Sequence, residues 1–292
     1  MVNSRNIEIA NLGLIGISLA LALMLPFRFF LFAYAVLGPL HYLTELNWLH
    51  EKKYFVKNRT WLLVSLLLVG AVAFPKVAQF IGLGSNNIVA PIIGWMDSVS
   101  NGAIFLGLWL AFVLVSIKSA KWQLVLGGVG LLVAYLLNTV PIYTVMVGAM
   151  VPTVIHVYVF TGLFMFYGAL KSKSVLGYLA TAALLLVPII VWQLDVNPKI
   201  YDIPSFAKET FIENGFYKVN ISLAKLFEIT DGKNFLFYGA WELKVQTFLA
   251  FAYVYHYLNW FSKTAIIGWH KSINQKKAIA ILAVWMAHVT LF

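Results

Sequence analysis

The chain has 292 residues, of which 61% are hydrophobic and only 11% are charged. A soluble protein of this length needs more charge to cover its surface, so the composition indicates an integral membrane protein. The absence of cysteine excludes disulfides, thiolate nucleophiles, iron–sulfur clusters and zinc–thiolate sites. The formal net charge of +10 does not indicate a nucleic-acid partner, because the lysines are scattered among short connections.

Long apolar runs predict an all-α, polytopic helix bundle in the membrane. Each run approaches the roughly 20 residues that an α-helix needs to cross the hydrocarbon layer. The sequence shows no internal repeat and no soluble-domain linker, which predicts a single transmembrane domain over residues 1–292. The nine predicted spans are, in chain order, 8–25, 27–47, 61–79, 98–117, 122–139, 145–169, 175–194, 238–261 and 276–292.

The basic residues between these spans predict the orientation of the chain. With nine spans, most lysines and arginines of the short connections fall on one face, together with Arg5 before the first span. The short connections of the opposite face offer only Arg28 and Lys76. Because cytoplasmic loops carry an excess of Lys and Arg, we expect a cytoplasmic N-terminus, in a bacterial inner membrane.

The connection over residues 195–237 differs from the other loops. It carries six of the eleven acidic residues and contains the amphipathic stretches SFAKETFIENGF and VNISLAKLFEI. Amphipathic stretches of this kind predict short helices that lie on a surface. We expect an extracytoplasmic loop that covers one mouth of the bundle.

Four histidines lie inside predicted spans, each in a different one: His41, His156, His256 and His288. Ionisable side chains in hydrocarbon cost free energy and usually face a partner, a cavity or a cofactor. Imidazole is the commonest metal ligand, and a helix bundle can assemble a site from inward-facing residues on separate helices. We therefore expect these four residues to be metal ligands.

Two further polar residues accompany the histidines. Glu45 follows His41 by four residues, so both lie on one helix face. Glu45 can ligate the same metal or hold a ligand imidazole by its second nitrogen. Asn259 stands one turn after His256 and is the candidate for holding that ring or a water molecule. Glu45 and Asn259 are the candidate catalytic residues.

The predicted depths of the histidines differ. With a rise of about 1.5 Å per residue, His41 and His256 lie roughly 9 Å inside the cytoplasmic ends of their helices. On the same basis His156 and His288 lie roughly 20 Å deep. This difference leaves three alternatives: the span boundaries shift, the helices tilt, or only some of the four histidines bind one metal. Four tyrosines flank the histidines and are candidates for lining a pocket: Tyr42, Tyr158, Tyr255 and Tyr257.

The stretch GPLHYLTE, residues 38–45, resembles a known family motif. It is similar to the G-x-x-H-x-x-x-D/E motif of the Brp/Blh membrane proteins, the bacterial and archaeal β-carotene dioxygenases that supply retinal. Glu45 stands where that family usually has aspartate, and this chain has no late H-x-x-x-H pair. The resemblance implies non-haem Fe²⁺ held by intramembrane histidines. It also implies that dioxygen is the co-substrate. The implied substrate is a carotenoid, or another apolar polyene or lipid-like molecule, dissolved in the lipid bilayer.

Two other functions stay open. The histidines, Glu45 and Glu242 could form a proton relay in a proton-coupled transporter or channel. Alternatively, the protein could be a non-catalytic membrane scaffold whose histidines form hydrogen bonds between helices. Serine-hydrolase and phosphate-binding chemistries find no support, because neither a G-x-S-x-G motif nor a P-loop occurs.

Overall fold

The structure is a computed structural model that describes residues 4–53, 59–140, 143, 146–229 and 234–291. These residues form helices joined by turns, with no strand among them. Within the described ranges, seven helical segments are long and apolar enough to cross a membrane, which makes this an integral membrane protein. Residue 145 of the predicted sixth span, residues 230–233 of the predicted loop and residue 292 of the predicted ninth span lie outside the described residues.

The α-helices and their bounds are as follows. They are α1 (Ser4–Met24), α2 (Pro26–Phe32), α3 (Gly38–Glu51), α4 (Arg59–Phe80), α5 (Ala90–Ser116), α6 (Ala120–Leu137), α7 (Phe160–Ser172), α8 (Val175–Gln193), α9 (Ser205–Glu213), α10 (Tyr217–Leu226), α11 (Ala240–Ser262), α12 (Thr264–Ile267) and α13 (Gln275–Leu291). Two π-helical segments, Ala33–Leu37 and Met146–Val159, run directly into α3 and α7. Short 3₁₀ turns cover Leu83–Ser85, Pro198–Ile200 and Trp269–Ser272.

The chain divides into two compact units. The first comprises residues 1–52 and 153–292, and the second comprises residues 53–152. Helix α11 lies at the centre of the first unit, where it packs against α1, α2, α3 and α8. More than half of its residues are buried, among them the polar residues Gln246 and Thr247. Gln246 accepts a hydrogen bond from Asn220 Nδ2 (3.1 Å) and donates one to the carbonyl of Pro26 (3.4 Å).

Two of the nine predicted spans are not among the seven long apolar segments, and each has its own reason. The predicted spans 238–261 and 276–292 both form helices, α11 and α13, but neither is among the seven. Polar residues of α11 face other helices rather than lipid, so the helix has no need to be apolar all round. Helix α13 has only 17 residues.

The predicted fourth span begins too late. Helix α5 starts at Ala90 rather than at residue 98, and Pro91 occupies its first turn. Proline is well tolerated there because the first N–H groups of a helix lack intrahelical partners. Just before it, Asn86 Oδ1 accepts hydrogen bonds from the backbone N–H groups of Ile88 and Val89, which shapes the turn that leads into the helix.

The segment 195–237 contains the short helices α9 and α10, as the amphipathic stretches predict. Phe211 of α9 is fully buried and packs edge-on against Phe27 and Phe30 of α2, with ring centroids 5.0 and 6.1 Å apart. Asn220 of α10 binds α11 through its amide. These contacts attach the segment to α2 and α11, which belong to the same unit.

The second unit contains α4, α5 and α6, and its helices pack closely through glycine. A Cβ atom at Gly130 of α6 would overlap the ring of Trp109 on α5. The indole N–H of Trp109 donates to the carbonyl of Leu126, one turn earlier on α6, at 2.8 Å. Small residues let helix backbones approach closely in this way.

Candidate functional site: a cluster of three histidines

His41, His156 and His256 come together inside the first unit. The ring centroids of His41 and His256 lie 4.9 Å apart, and those of His156 and His256 lie 5.4 Å apart. His41 belongs to α3, His256 to α11, and His156 to the π-helical segment that leads into α7. Three helices that are distant in sequence therefore each contribute one imidazole to a histidine cluster, which we define by these three residues.

The cluster contains several ring nitrogens without a hydrogen-bond partner. Both nitrogens of His41 and the Nε2 atoms of His156 and His256 are buried, and none has a partner among the described residues. His41 is the most enclosed of the three, with 2% of its surface exposed. A buried polar atom left unpaired costs about 1–3 kcal/mol. A ligand that these nitrogens could bind would recover part of that cost.

Glu45 lies beside His41, as the four-residue spacing predicts. Its Oε2 atom is 3.2 Å from Nε2 of His41, although the two are not aligned as a hydrogen bond. The Glu45 side chain is 28% exposed, whereas that of His41 is nearly fully enclosed. The carboxylate therefore borders the cluster and forms its most accessible charged group.

The ring of His256 is held by a threonine. Thr161 Oγ1 lies 2.7 Å from Nδ1 of His256 and 2.6 Å from the carbonyl oxygen of Val157. Thr161 belongs to α7 and is buried. The other ring nitrogen of His256, Nε2, is buried and has no hydrogen-bond partner among the described residues.

Aromatic rings surround His41. The ring centroids of Tyr42, Tyr257 and Trp260 lie 5.3, 5.2 and 5.2 Å from that of the imidazole. Trp260 also donates its indole N–H to Thr44 Oγ1 at 3.1 Å, which links α11 to α3 one turn after His41. Phe160 lies against His156 with a centroid distance of 6.2 Å.

Only two of the four flanking tyrosines contact the cluster, namely Tyr42 and Tyr257. The hydroxyl of Tyr158 donates to the carbonyl of Leu184 on α8, and that of Tyr255 donates to the sulfur of Met165 on α7. Tyr158 and Tyr255 thus anchor helices rather than line the cluster.

The glycine of GPLHYLTE allows α11 to approach α3. A Cβ atom at Gly38 would lie 3.0 Å from Oη and 3.2 Å from Cζ of Tyr257. A π-helical segment, Ala33–Leu37, ends at this glycine. Single π-helical turns inside α-helices occur frequently at functional sites. The segment before α3 has five residues and is of this kind, whereas the one that carries His156 is longer, with 14 residues.

Two predicted site residues are not brought into the cluster. His288 lies on α13 with an exposed side chain, and no ring contact in the described part of the chain joins it to the three histidines. Asn259 is not hydrogen-bonded to His256, and its buried Oδ1 atom has no partner within the described residues. The group that holds His256 is Thr161, which lies 95 positions away in sequence, and spacing along α11 could not reveal it.

The predicted difference in depth does not separate His156 from His256. Their rings are in contact, although His156 lies many more residues from the end of α7 at Ser172 than His256 lies from the end of α11 at Ser262. The depths were counted from helix ends taken at one level. The contact therefore requires helix ends at different levels or helices that are tilted.

The imidazole nitrogens and the Glu45 carboxylate are suitable ligands for a transition metal, but they are not arranged around a common centre. Neutral imidazoles and one carboxylate are ligands for iron, zinc or copper. In the described ranges, however, no group of three or more His, Asp or Glu side chains could hold a metal ion as it stands. Binding would require imidazole rings to turn toward a common centre. His41 makes no hydrogen bond within the described residues that would oppose this, whereas the ring of His256 is held by Thr161.

Comparison of the chain with protein-family models, with curated proteins and with solved structures found no match. Its resemblance to the Brp/Blh proteins therefore rests on residues 38–45 and the intramembrane histidines alone.

Proposed function

We propose that the protein is a membrane-embedded, non-haem Fe²⁺ oxygenase that acts on a long apolar substrate. The observation that carries the proposal is the histidine cluster, in which buried nitrogens of three imidazoles have no hydrogen-bond partner within the described ranges of the chain. Iron sites of this class combine histidines with a carboxylate and leave coordination positions open. His41, His156 and His256 would hold the ion, and Glu45 would either complete the ligand set or orient His41.

Each residue of the site has a distinct part in this proposal. A bound ferrous ion would supply the activation of dioxygen, while the protein supplies binding and alignment. Thr161 keeps the ring of His256 in place, and Trp260 and Tyr257 restrict the ring of His41 from two sides. These rings also exclude water from the cluster, which protects reactive oxygen species from side reactions.

The surroundings of the cluster favour a substrate that arrives through the bilayer. Tyr42 and Phe160, which contact His41 and His156, are both 45% exposed. Both lie on segments that are long and apolar enough to span the membrane, so their exposed faces would contact lipid. A polyene dissolved in lipid could therefore reach the histidines. Within this class, the resemblance to the Brp/Blh proteins favours oxidative cleavage of a carotenoid, β-carotene to retinal.

The proposed topology has nine spans, with the N-terminus in the cytoplasm of a bacterial cell. It adds α11 and α13 to the seven apolar segments and places most loop lysines on one side. The chain has no cysteine, so single cysteines can be introduced and labelled from either side. Lys271→Cys should react with a membrane-impermeant thiol reagent only after the membrane is permeabilised, whereas Asn197→Cys should react with it in intact cells. The reverse pattern would contradict the orientation.

The decisive experiment is elemental analysis of purified protein. We expect about one iron per chain in the wild type and its loss in His41→Ala and His256→Ala. The matched control is His270→Ala, because His270 is exposed and makes no ring contact with the three histidines in the described part of the chain. A folded wild-type protein that contains no iron and still bleaches carotenoid in carotenoid-accumulating cells would overturn the iron proposal. Bleaching that persists in His256→Ala would overturn the assignment of the site.

A proton relay is the second candidate function. One observation in its favour is that no group of three or more His, Asp or Glu side chains in the described residues could hold a metal ion. A second is a row of four side chains in which each contacts the next: Glu45, His41, His256 and His156. Glu45 bears the formal charge in this row, and its side chain is 28% exposed. Proton flux into proteoliposomes in the presence of a chelator, lost in His156→Ala, would favour the relay over the oxygenase.

A further inference from the structure

We infer that Thr161 is a positioning residue that fixes His256 as the tautomer with its proton on Nδ1. The inference starts from the hydrogen-bonding capacity of a threonine hydroxyl, which has one hydrogen to donate and two lone pairs to accept. Thr161 Oγ1 lies within hydrogen-bond distance of two groups, the carbonyl oxygen of Val157 at 2.6 Å and Nδ1 of His256 at 2.7 Å. A carbonyl can only accept.

The division of roles between the two bonds follows directly. The single hydroxyl hydrogen of Thr161 is donated to the Val157 carbonyl, so Oγ1 can only accept from His256. Nδ1 of His256 must therefore carry a proton. Thr161 is 4% exposed, so water does not compete for either bond. In a neutral imidazole a proton on Nδ1 leaves Nε2 as a bare acceptor.

The bare nitrogen is the one that lies in the cluster. Nε2 of His256 is buried and has no hydrogen-bond partner in the part of the chain that the structure describes, and its ring lies close to those of His41 and His156. Because the Thr161 hydroxyl accepts a hydrogen bond from the protonated Nδ1, the lone pair of the His256 ring lies on Nε2, which faces the cluster. Ligand histidines typically have their second nitrogen held in this way, usually by a carboxylate or a carbonyl. Here a threonine takes that place.

The winding of the helix makes this arrangement possible. His156 and Thr161 are five residues apart, and both contact the ring of His256. In an α-helix with about 3.6 residues per turn, residues five apart point in directions about 140° apart. The segment that carries His156 is π-helical up to Val159, which changes the angle between the two side chains. The π-helical winding therefore lets one helix supply both a cluster histidine and the group that orients another.

The tautomer can be measured without any metal, which separates this inference from the proposed function. The protein would be labelled with ¹⁵N-histidine, prepared with a chelator in lipid bilayers, and studied by solid-state NMR, with His256→Gln used to assign the signals. In the wild type we expect a protonated Nδ1 and a bare Nε2 at His256. Thr161→Ser should keep this pattern, and Thr161→Val, which has nearly the same shape but no hydroxyl, should lose the single tautomer.

A matched control is provided by Thr181 of α8. Its hydroxyl also donates to the carbonyl four residues earlier, Gly177, and the residue is likewise buried. It does not contact His256 in the described structure, so Thr181→Val should leave the tautomer unchanged. A protonated Nε2 at His256 in the wild type would overturn the inference. An unchanged tautomer in Thr161→Val would overturn it equally.

A second measurement rests on the proposed function and uses Co²⁺ as the probe. Loss of a group that orients a ligand typically weakens metal binding by about 10–100-fold. We expect a loss of this size in Thr161→Val and near-wild-type binding in Thr161→Ser and Thr181→Val. Equal Co²⁺ affinity in Thr161→Val and the wild type would contradict a positioning role. A wild type that binds no Co²⁺ would count against the proposed metal site, and the tautomer would then decide the role of Thr161 by itself.

Discussion

Gly38 of α3 lies against the hydroxyl end of Tyr257 on α11, so that a Cβ atom at this glycine would lie 3.0 Å from the tyrosine hydroxyl oxygen. Gly38 precedes His41 by three residues, and Tyr257 follows His256 directly. The tight contact between Gly38 and Tyr257 therefore occurs next to the contact between the histidines of the same two helices. This explains in physical terms why a glycine stands in the GPLHYLTE stretch.

Gly38→Ala should destabilise the protein and disturb the cluster. The added methyl group must displace Tyr257, and overpacking of this kind typically costs about 1–3 kcal/mol. The control is Gly13→Ala in α1, where a Cβ atom would meet nothing within 4 Å. We expect a lower Tm for Gly38→Ala and a Tm at or above that of the wild type for Gly13→Ala. Equal Tm values for the two variants in thermal denaturation would show that the close approach is not needed.

Glu45→Gln should weaken metal binding without unfolding the protein. The substitution keeps the reach of the side chain to Nε2 of His41 but removes the negative charge. We expect an affinity for Fe²⁺ about 10–100-fold lower, measured by anaerobic titration. Glu51→Gln is the control, because Glu51 lies at the exposed end of the same helix and pairs with Lys277. Similar losses in both variants would point to a general effect of charge.

Gly130→Ala should destabilise the second unit. The methyl group would overlap the ring of Trp109 and push α5 away from α6, with a cost of about 1–3 kcal/mol. Two residues earlier, Gly128 faces open space and provides a matched control. Limited proteolysis of the segment 53–152 should be faster for Gly130→Ala than for Gly128→Ala. If both variants were cleaved at the wild-type rate, the packing of Trp109 on Gly130 would not contribute to stability.

Lys263, the first residue after α11, should make stability depend on pH. Burial lowers the pKa of its amine to about 8, and the nearby Glu8 carboxylate opposes this shift. An unfolded lysine has a pKa of about 10.4. Between about pH 8 and 10.4 the unfolded state therefore binds more protons, so this residue's contribution to stability rises with pH across that window.

Lys263→Met tests this dependence. The variant should have a higher Tm than the wild type at pH 7, where the buried amine is charged, and this advantage should shrink as the pH rises from about 8 to 10.4. Lys271→Met removes a positive charge from an exposed position nearby and should retain the wild-type rise. A difference between Lys263→Met and the wild type that does not vary with pH would contradict the prediction.

Much of the site was predictable because it depends on local spacing and on the cost of burying polar groups. The spacing of four residues placed Glu45 beside His41, and the presence of histidines in apolar helices marked His41, His156 and His256 as inward-facing. Thr161 and Trp260 were not predicted, because threonine and tryptophan are common in membrane helices and carry no charge that would single them out.

The sequence by itself determined the class of the molecule, because hydropathy is a sum over neighbouring residues and needs no knowledge of packing. It also determined the helical character of the segment 195–237, whose amphipathic stretches form α9 and α10. The tertiary structure alone decided which histidines meet. That outcome depends on how helices far apart in the chain pack: the structure brings His156, on the π-helical segment Met146–Val159, against His256 of α11. It also decided that α11 is a central helix, since its polar residues are matched by partners on α2 and α10 that no local pattern reveals.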